Sequence, residues 1–462
     1  MRLSLRVRAR AALAAVGALG LALLAAPQAM ATGETPTTPT DLFNGYAACS
    51  HDEAAPTYVW AGSGVQLEGV TGVVGGDGWT LPSEQFQLWP VADPAQITSL
   101  SYAVAVPGNE GWVTAPAGKL ADGQVYAWQA QTVVGTVASE WSAPCYFAVD
   151  NTRPSTTPTV TSANYPQNQV TEGGDPVRFT FDANGVNDVE GFEFAWMDPL
   201  PVYVVSIGEH AIPQPKDRYA DTKYYVRADS LGGSATVSLI PPGGGGPLTL
   251  HVVSLDRTGN RSYDEATYSF SAPTGPPTVT PPTDPRFDQP ATFRFAPDAA
   301  LQAKSPVVSY TVRTLGAQQD QTRQVPADAD GSGKFTLKLD GAYGEVLHVT
   351  STSANGWVSD TAEWSSEYNT ETTVTSDVYA EDETSGGVGV PGTFTLTPKV
   401  PHVVSYTYSF NWGEPVTVEA GLGHAAQVTW TPTESGFAYL TVDATTADGI
   451  QLATRYYSFD VS

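Results

Sequence analysis

Cysteine is scarce in this chain of 462 residues. Basic residues are also few, and charged residues as a whole are fewer than usual. The chain has two cysteines, and its 22 lysines and arginines stand against 48 acidic residues, for a formal net charge of −26. Charged residues make up 15%, below the roughly 25% that is usual for globular chains. So acidic a surface, without a basic block, disfavours nucleic acids and anionic membranes as partners. It indicates solubility in an extracellular setting, with calcium or a cationic partner as the alternatives.

Long apolar segments and helical apolar stripes are both missing after residue 32. The apolar run at 11–26 follows a basic head of four arginines and precedes an A-x-A motif at 29–31, which predicts a cleaved signal peptide over 1–31. A retained membrane anchor is the alternative, but the run is shorter than the ~20 residues that a span needs. We therefore expect a secreted, extracellular protein without a transmembrane segment in its mature chain.

Catalytic motifs are the third absence. The sequence contains no G-x-S-x-G, no H-E-x-x-H and no C-x-x-C, and its six histidines are scattered. Paired carboxylates for glycoside hydrolysis cannot be recognised among 48 acids, because chance pairs occur everywhere. We predict no catalytic residues and no enzymatic activity. A secreted carbohydrate-active enzyme, or its accessory carbohydrate-binding subunit, is the alternative.

A strand-and-turn frame occurs four times in the chain. Each copy has two apolar or aromatic residues two positions apart and a glycine nine positions after the first; the copies begin at Tyr126, Leu250, Leu347 and Leu440. These starts are 124, 97 and 93 residues apart, about the length of one β-sandwich. Threonine, serine, glycine and proline are abundant, and they suit strands and turns. The predicted fold class is all-β, a tandem array of four β-sandwiches.

Changes in composition divide this array. We predict a flexible leader over 32–40 and sandwiches over 41–151, 159–272, 286–368 and 385–462. The last two copies are the most alike, since VVSYT at 307–311 recurs at 403–407. The boundary between them is the least distinct.

The copies resemble two kinds of module from large secreted bacterial proteins. DRTGNRS at 256–262, ATTADG at 444–449 and GTFTLTP at 392–398 resemble bacterial Ig-like repeats. The first sandwich, with WSAPCYF at 141–147, resembles fibronectin type III-like modules. Such modules usually serve as spacers, adhesion units or accessory binding units, so the resemblance implies adhesion or binding to an extracellular polymer or protein. A structural surface protein that binds only copies of itself is a further alternative.

The two cysteines, Cys49 and Cys145, lie at the two ends of the first predicted sandwich. An even count in an exported chain predicts one disulfide, which would tie the first strand to the last. Two free buried thiols or an intermolecular link are the alternatives.

Two acidic segments leave calcium open as a cofactor. DADGSG at 328–333 resembles the start of a calcium loop, but Leu339 occupies the twelfth position, where such a loop needs an acid. A turn between strands is therefore the expectation there. The run at 377–383 lies near a predicted joint. We predict no cofactor and no metal site, with Ca²⁺ as the alternative.

Tryptophan gives the most specific functional prediction. Most of the eleven tryptophans should be core, but Trp79, Trp112, Trp357 and Trp412 fall in turn-like settings. An exposed indole is a natural platform for a sugar ring or a partner protein. We predict these four as ligand-binding residues, with Trp412 foremost, because the turn at 411–413 gives it little core to reach. The alternative is that each folds back to cap the end of a sandwich.

Overall fold

The computed structural model describes residues 33–45, 47–75, 81–103, 105–243, 246–317, 320–366 and 368–462. Strands make up most of the secondary structure of these residues, which confirms the predicted all-β class. The predicted signal peptide and Trp79 lie outside the described residues. Helical structure within them is confined to α1 (Ala299–Lys304) and to the 3-10 turns Ala117–Lys119, Glu209–Ala211, Arg218–Ala220 and Leu422–His424.

The first part of the chain forms two sheets, ordered β2-β1-β4-β7 and β3-β10-β8-β5-β6, with β9 paired to β8. Their inner faces pack together, since Leu67 and Val113 of one sheet share a buried cluster with Phe86 and Trp128 of the other. The strands are β1 (Thr35–Asn44), β2 (Ala47–Ala48), β3 (Thr57–Val59), β4 (Val65–Val74), β5 (Ser83–Pro90), β6 (Thr98–Tyr102), β7 (Glu110–Ala115), β8 (Val125–Val134), β9 (Val137–Ala138) and β10 (Cys145–Val149).

The second part forms sheets ordered β11-β12-β17 and β16-β13-β18-β19, with β14 and β15 as a separate pair. The strands are β11 (Thr159–Ser162), β12 (Val177–Asp182), β13 (Val189–Ala195), β14 (Ser206–Ile207), β15 (Pro213–Gln214), β16 (Tyr225–Arg227), β17 (Ser234–Leu239), β18 (Pro247–Asp256) and β19 (Ala266–Ser271).

The third part forms sheets ordered β20-β21-β24 and β23-β22-β25-β26. Phe293 of the first sheet and Tyr310 and Leu347 of the second belong to one buried cluster. The strands are β20 (Thr278–Thr280), β21 (Pro290–Ala296), β22 (Val307–Leu315), β23 (Thr322–Pro326), β24 (Gly333–Lys338), β25 (Val346–Ser353) and β26 (Ala362–Ser365).

The last part forms sheets ordered β27-β29-β32 and β28-β34-β33-β30-β31. Phe394 and Leu396 of the first sheet pack with Leu440, Val442 and Phe459 of the second. The strands are β27 (Thr373–Ser376), β28 (Thr384–Ser385), β29 (Gly392–Thr397), β30 (Val403–Phe410), β31 (Val416–Glu419), β32 (Ala426–Trp430), β33 (Gly436–Thr446) and β34 (Arg455–Val461).

Contacts divide the described residues into two compact units. The first holds the described residues up to Val160 with those of Thr180–Thr236 and Leu250–Thr267, and the second holds the described residues of Thr161–Phe179, Val237–Thr249 and Tyr268–Ser462. This division passes through the residues predicted as the second sandwich, so the four boundaries drawn from the sequence stay a prediction.

The repeated frame is confirmed as a strand followed by a turn. Its apolar residues lie on β8, β18, β25 and β33, and the residues that begin the copies are all buried. The four glycines that close the copies have φ between +61° and +92°, which an L side chain rarely adopts. The glycine is therefore set by turn geometry in every copy.

The predicted leader over 32–40 is wrong from Thr35 onward. Thr35–Asn44 is strand β1, which pairs antiparallel with β4. Most of β1 lies at the edge of its sheet, because β2 covers only two residues. An edge strand tolerates proline, and β-branched threonine favours extended backbone, so a proline- and threonine-rich segment can still form a strand here.

Candidate functional site

The turn between β30 and β31 holds Trp412 in an unusual conformation. Asn411 and Trp412 have φ of 50° and 58°, and the amide of Gly413 donates to the carbonyl of Phe410 over 2.9 Å. Positive φ at both central residues is the pattern of a type I′ hairpin turn, which favours Asn-Gly. Tryptophan therefore stands where glycine would be unstrained.

Asn411 fixes this turn to the neighbouring strand. Its amide donates to the carbonyl of Tyr439 over 3.1 Å, and its Oδ1 accepts from the amide of Tyr439 over 2.9 Å. The hydroxyl of Ser409 donates to the carbonyl of Gly413 over 2.8 Å. The turn is held from both sides, so the indole of Trp412 is presented in a defined direction.

Three more aromatic side chains accompany Trp412 on the outer face of the same sheet. Phe437 and Tyr439 alternate along β33 with the buried Ala438 and Leu440. Tyr456 lies on β34, directly across from Thr441, the next outward position of β33. We call the four outward residues the aromatic surface: Trp412, Phe437, Tyr439 and Tyr456.

The aromatic surface is open to solvent although three of its rings are in contact. Trp412 is 77% exposed, Phe437 is 68% exposed and Tyr456 is 57% exposed. Tyr439 lies between two of them, with ring centroids 5.4 Å from Trp412, edge to face, and 6.1 Å from Phe437. Its partial burial, and then the phenol of Tyr456, raise the pKa of Tyr439, so its hydroxyl stays neutral at physiological pH. The surface offers ring faces and edges without a charge of its own.

The other predicted tryptophans have different settings. Trp112 is 44% exposed on β7, and its ring stacks against Tyr102 with centroids 6.1 Å apart. Trp357 is only 3% exposed and stacks on Tyr165, with centroids 6.3 Å apart. A ligand can stack on an indole only if one face of the ring is open to solvent. Trp357 has no such open face, so the structure does not support it as a binding residue. It packs against another part of its own unit.

The predicted disulfide is present between Cys49 and Cys145, with an S–S distance of 2.06 Å. His51 lies beside it, and the three possible ligand atoms fall within 4.8 Å of one another. The sulfurs are bonded to each other and provide no thiolates, so this group lacks the donors of a zinc site.

Carboxylates of the two acidic segments bond to protein donors. Asp330 accepts from the amide and the hydroxyl of Ser332, which makes the segment at 328–333 a tight turn. In the run at 377–383, three carboxylates are engaged by other residues of the unit. Asp377 accepts from the amide of Thr393, Glu381 from Arg455, and Asp382 from Ser458.

Two buried carboxyls of the first unit, Glu68 and Glu84, do not form an accessible catalytic pair. Glu68 and Glu84 have no exposed surface. Burial, and then the neighbouring carboxyl of Glu110, raise the pKa of Glu68 to about 9. A catalytic acid must reach the bond that it protonates, and these two cannot meet a substrate while they stay buried.

The sequence singles out Trp412 as a candidate but does not point to its three neighbours. Phe437 and Tyr439 occupy both outward positions just before the inward Leu440 of the repeated frame. The repeated frame fixes which residues of this strand point inward. The aromatic residues at the alternate positions could therefore be predicted from the sequence to lie on the outer face. The position of Tyr456 beside them follows only from strand pairing.

Comparison with known proteins gives matches among solved structures alone. No family model and no curated protein matches it. It is similar to the FN1–FN3 domains of chicken CNTN1, with 13% identity and a TM-score of 0.21 over 73% of this chain and 100% of that one. It is also similar to a Ca²⁺-stabilized adhesin with which an Antarctic bacterium binds ice, with 16% identity and a TM-score of 0.21 over 94% and 100% of the two chains.

A third solved structure similar to this chain is Escherichia coli alpha-2-macroglobulin activated by porcine elastase. It shares 11% identity and a TM-score of 0.20 over 92% of this chain and 44% of that one. TM-scores this low do not establish a shared fold or function. The fold is therefore described from the chain's own strands, and the proposed function from its own side chains. Across the described part of the chain, no helix is long and apolar enough to span a membrane.

Proposed function

We propose that this chain is a secreted, non-enzymatic binding or adhesion protein of tandem Ig-like and fibronectin type III-like sandwiches, and that its aromatic surface binds a neutral polysaccharide. The observation that carries the proposal is Trp412, a bulky residue held at positive φ and left 77% exposed. Left-handed backbone costs a non-glycine residue about 1–2 kcal/mol. Strain of this kind concentrates at functional sites, where the surrounding structure maintains it.

The size of the aromatic surface favours a polymer strand over a protein partner. Its exposed rings amount to on the order of 400 Å², given the 150–250 Å² that each aromatic side chain can present. A stable protein interface takes roughly 800 Å² from each partner. A row of sugar rings needs less area, because each ring stacks on a single aromatic face. The net charge of −26 favours an uncharged polymer over an acidic one.

Removal of the indole should abolish most of this binding. We expect the Trp412→Ala variant of the full chain to bind insoluble cellulose, chitin or mannan at least tenfold more weakly than the parent, a loss of about 1.4 kcal/mol. Depletion of the protein from solution at increasing polymer concentration measures it. The control is Tyr263→Ala, which removes a similarly exposed aromatic ring from the other compact unit and should leave binding unchanged. Equal loss in both variants, or retention of the parent by none of the three polymers, would contradict the proposal.

A glycine at the same position separates binding from folding. The Trp412→Gly variant restores the Asn-Gly pair that a type I′ turn favours, so it should unfold at the same denaturant concentration as the parent or at a higher one. We expect it to bind the polymer as weakly as the alanine variant. A glycine variant that keeps the parent's affinity would show that the strained tryptophan serves no ligand.

A further inference from the structure

The first compact unit contains a cleft of about 560 Å³ that is chemically unlike the rest of this acidic chain. All of its lining residues belong to that unit. The volume lies within the roughly 300–1,000 Å³ of small-molecule sites. Its walls carry four aromatic side chains and three cations, namely Tyr58, Trp60, Tyr203, Tyr219, Lys216, Arg218 and Arg227.

Positive charge is concentrated at this cleft. Three cations and two acids line the cleft, whereas the whole chain has a net charge of −26. Arg227 is already neutralised, because it pairs with Glu190 and, over 3.1 Å, with Asp217. Among the described residues, no carboxylate lies within ion-pair distance of Lys216 or Arg218. The cleft therefore keeps two cations that an anionic ligand could pair with.

Arg218 is held in place by its surroundings. Its guanidinium carbon lies 4.9 Å from the centre of the Tyr203 ring. The same group rests on Gly259, where a Cβ atom would approach Nη1 to 2.0 Å. Gly259 is the turn glycine of the second copy of the frame, so in this copy the missing side chain also makes room for a cation. A preorganised guanidinium loses little entropy when it binds a carboxylate.

Tyr58 and Trp60 add aromatic surface to the cleft. Trp60 is 48% exposed there, which leaves part of its indole free for a ligand. Arg257 lies 3.7 Å over the ring of Tyr58 and donates to its hydroxyl over 2.6 Å, so this ring is fixed and covered on one face. Flat aromatic surface and unpaired cations in one cleft suit a ligand that has both a ring and a carboxylate.

We propose that this cleft binds the carboxylate-bearing end of an acidic oligosaccharide. The carboxylate pairs with Arg218 and Lys216, and the sugar ring lies against Trp60. Binding is limited to an end or a short segment, because the net charge of −26 repels a long polyanion. This site goes beyond the proposed function, since it lies in the other compact unit and recognises an acidic sugar, whereas the aromatic surface binds a neutral one.

Calorimetric titration of the full chain tests the proposal. The probes are a trisaccharide of glucuronic acid and the matching trisaccharide of glucose. We expect the acidic probe to bind at least tenfold more tightly, with an affinity that falls as salt is added. Equal affinity for both probes would refute an anionic site. A triglutamate peptide that binds as well as the acidic sugar would also refute it, because a site for any carboxylate does not use the aromatic side chains of the cleft.

Paired charge variants locate the site. Arg218→Gln should weaken binding of the acidic trisaccharide at least tenfold, and Lys216→Gln, at an exposed position, should weaken it in the same direction without a risk to folding. The control is Lys223→Gln, which removes the same charge from the same segment at a residue that does not line the cleft. Unchanged affinity in the Lys216 and Arg218 variants would overturn the assignment. Trp412→Gly should leave this binding intact, so either site can fail without the other.

Discussion

Replacement of both cysteines by serine is expected to lower the free energy of unfolding of the first sandwich by about 4–5 kcal/mol. Cys49 and Cys145 are separated by 96 residues, and their bond closes nearly the whole of this sandwich into one loop. An unfolded chain freed from such a loop gains conformational entropy, which favours the unfolded state. Cys145 is also fully buried and pairs across the sheet with Trp128, so a serine hydroxyl there would be placed in the core.

Hydrogen exchange can measure this loss within the intact chain. Peptides from β8 and β10 should lose about a thousandfold of protection in the double variant, since each tenfold corresponds to about 1.4 kcal/mol. Peptides from β33 and β34, in the other compact unit, serve as the internal control and should not change. Reduction of the parent's disulfide should reproduce the loss. Protection that survives both treatments would mean that the bond adds little to the stability of the fold.

The repeated frame shows which features of the structure can be predicted from the sequence. Leu440 and Val442 alternate with polar residues, and the strand pleat alone sends both to one side, where they are fully buried. The positive φ of Gly449 follows in the same way from a local turn. Such features depend on neighbours within a few residues, so their pattern is visible in the chain itself.

Trp357 and Trp412 show where this local reading fails. Both stand beside a glycine, and the sequence predicts both as exposed platforms. Trp357 is buried because it meets Tyr165, a residue far away in the sequence. Trp412 stays exposed, and its partner Tyr439 was missed because strand pairing brings them together. The solvent exposure of a turn residue depends on which distant residues pack over it. The local sequence pattern does not contain that information.

The buried carboxyl of Glu84 makes the stability of the first sandwich depend on pH. Glu84 points between the sheets, and its Oε2 accepts from the hydroxyl of Thr71 over 3.1 Å. Two glycines make room for it: a Cβ on Gly111 would lie 2.1 Å from Oε2, and one on Gly69 would lie 2.7 Å from Oε1. Burial raises the pKa of Glu84 to about 8, although the hydrogen bond from Thr71 opposes the shift. The carboxyl is therefore neutral in the folded protein at pH 7.

Folding must return a proton to this carboxyl. In the unfolded chain Glu84 ionises near its ordinary pKa of 4.5, so between that pH and about 8 the folded state binds one proton more. Stability then falls as the pH rises through this window, by about 1.4 kcal/mol per unit for one group, and is greatest below pH 4.5. At pH 7 the cost is on the order of 3 kcal/mol.

The Glu84→Gln variant should recover most of that cost. Its amide has nearly the same shape and no proton to bind, so we expect the first sandwich to gain on the order of 3 kcal/mol of stability at pH 7 and almost none at pH 4. Denaturant unfolding followed by hydrogen exchange in β5 and β7 at both pH values measures the difference. The exposed Glu53→Gln removes a charge from the same sandwich and should show no such dependence on pH. An equal effect of Glu84→Gln at pH 4 and pH 7 would mean that the buried carboxyl is already ionised, with its charge compensated inside the sandwich.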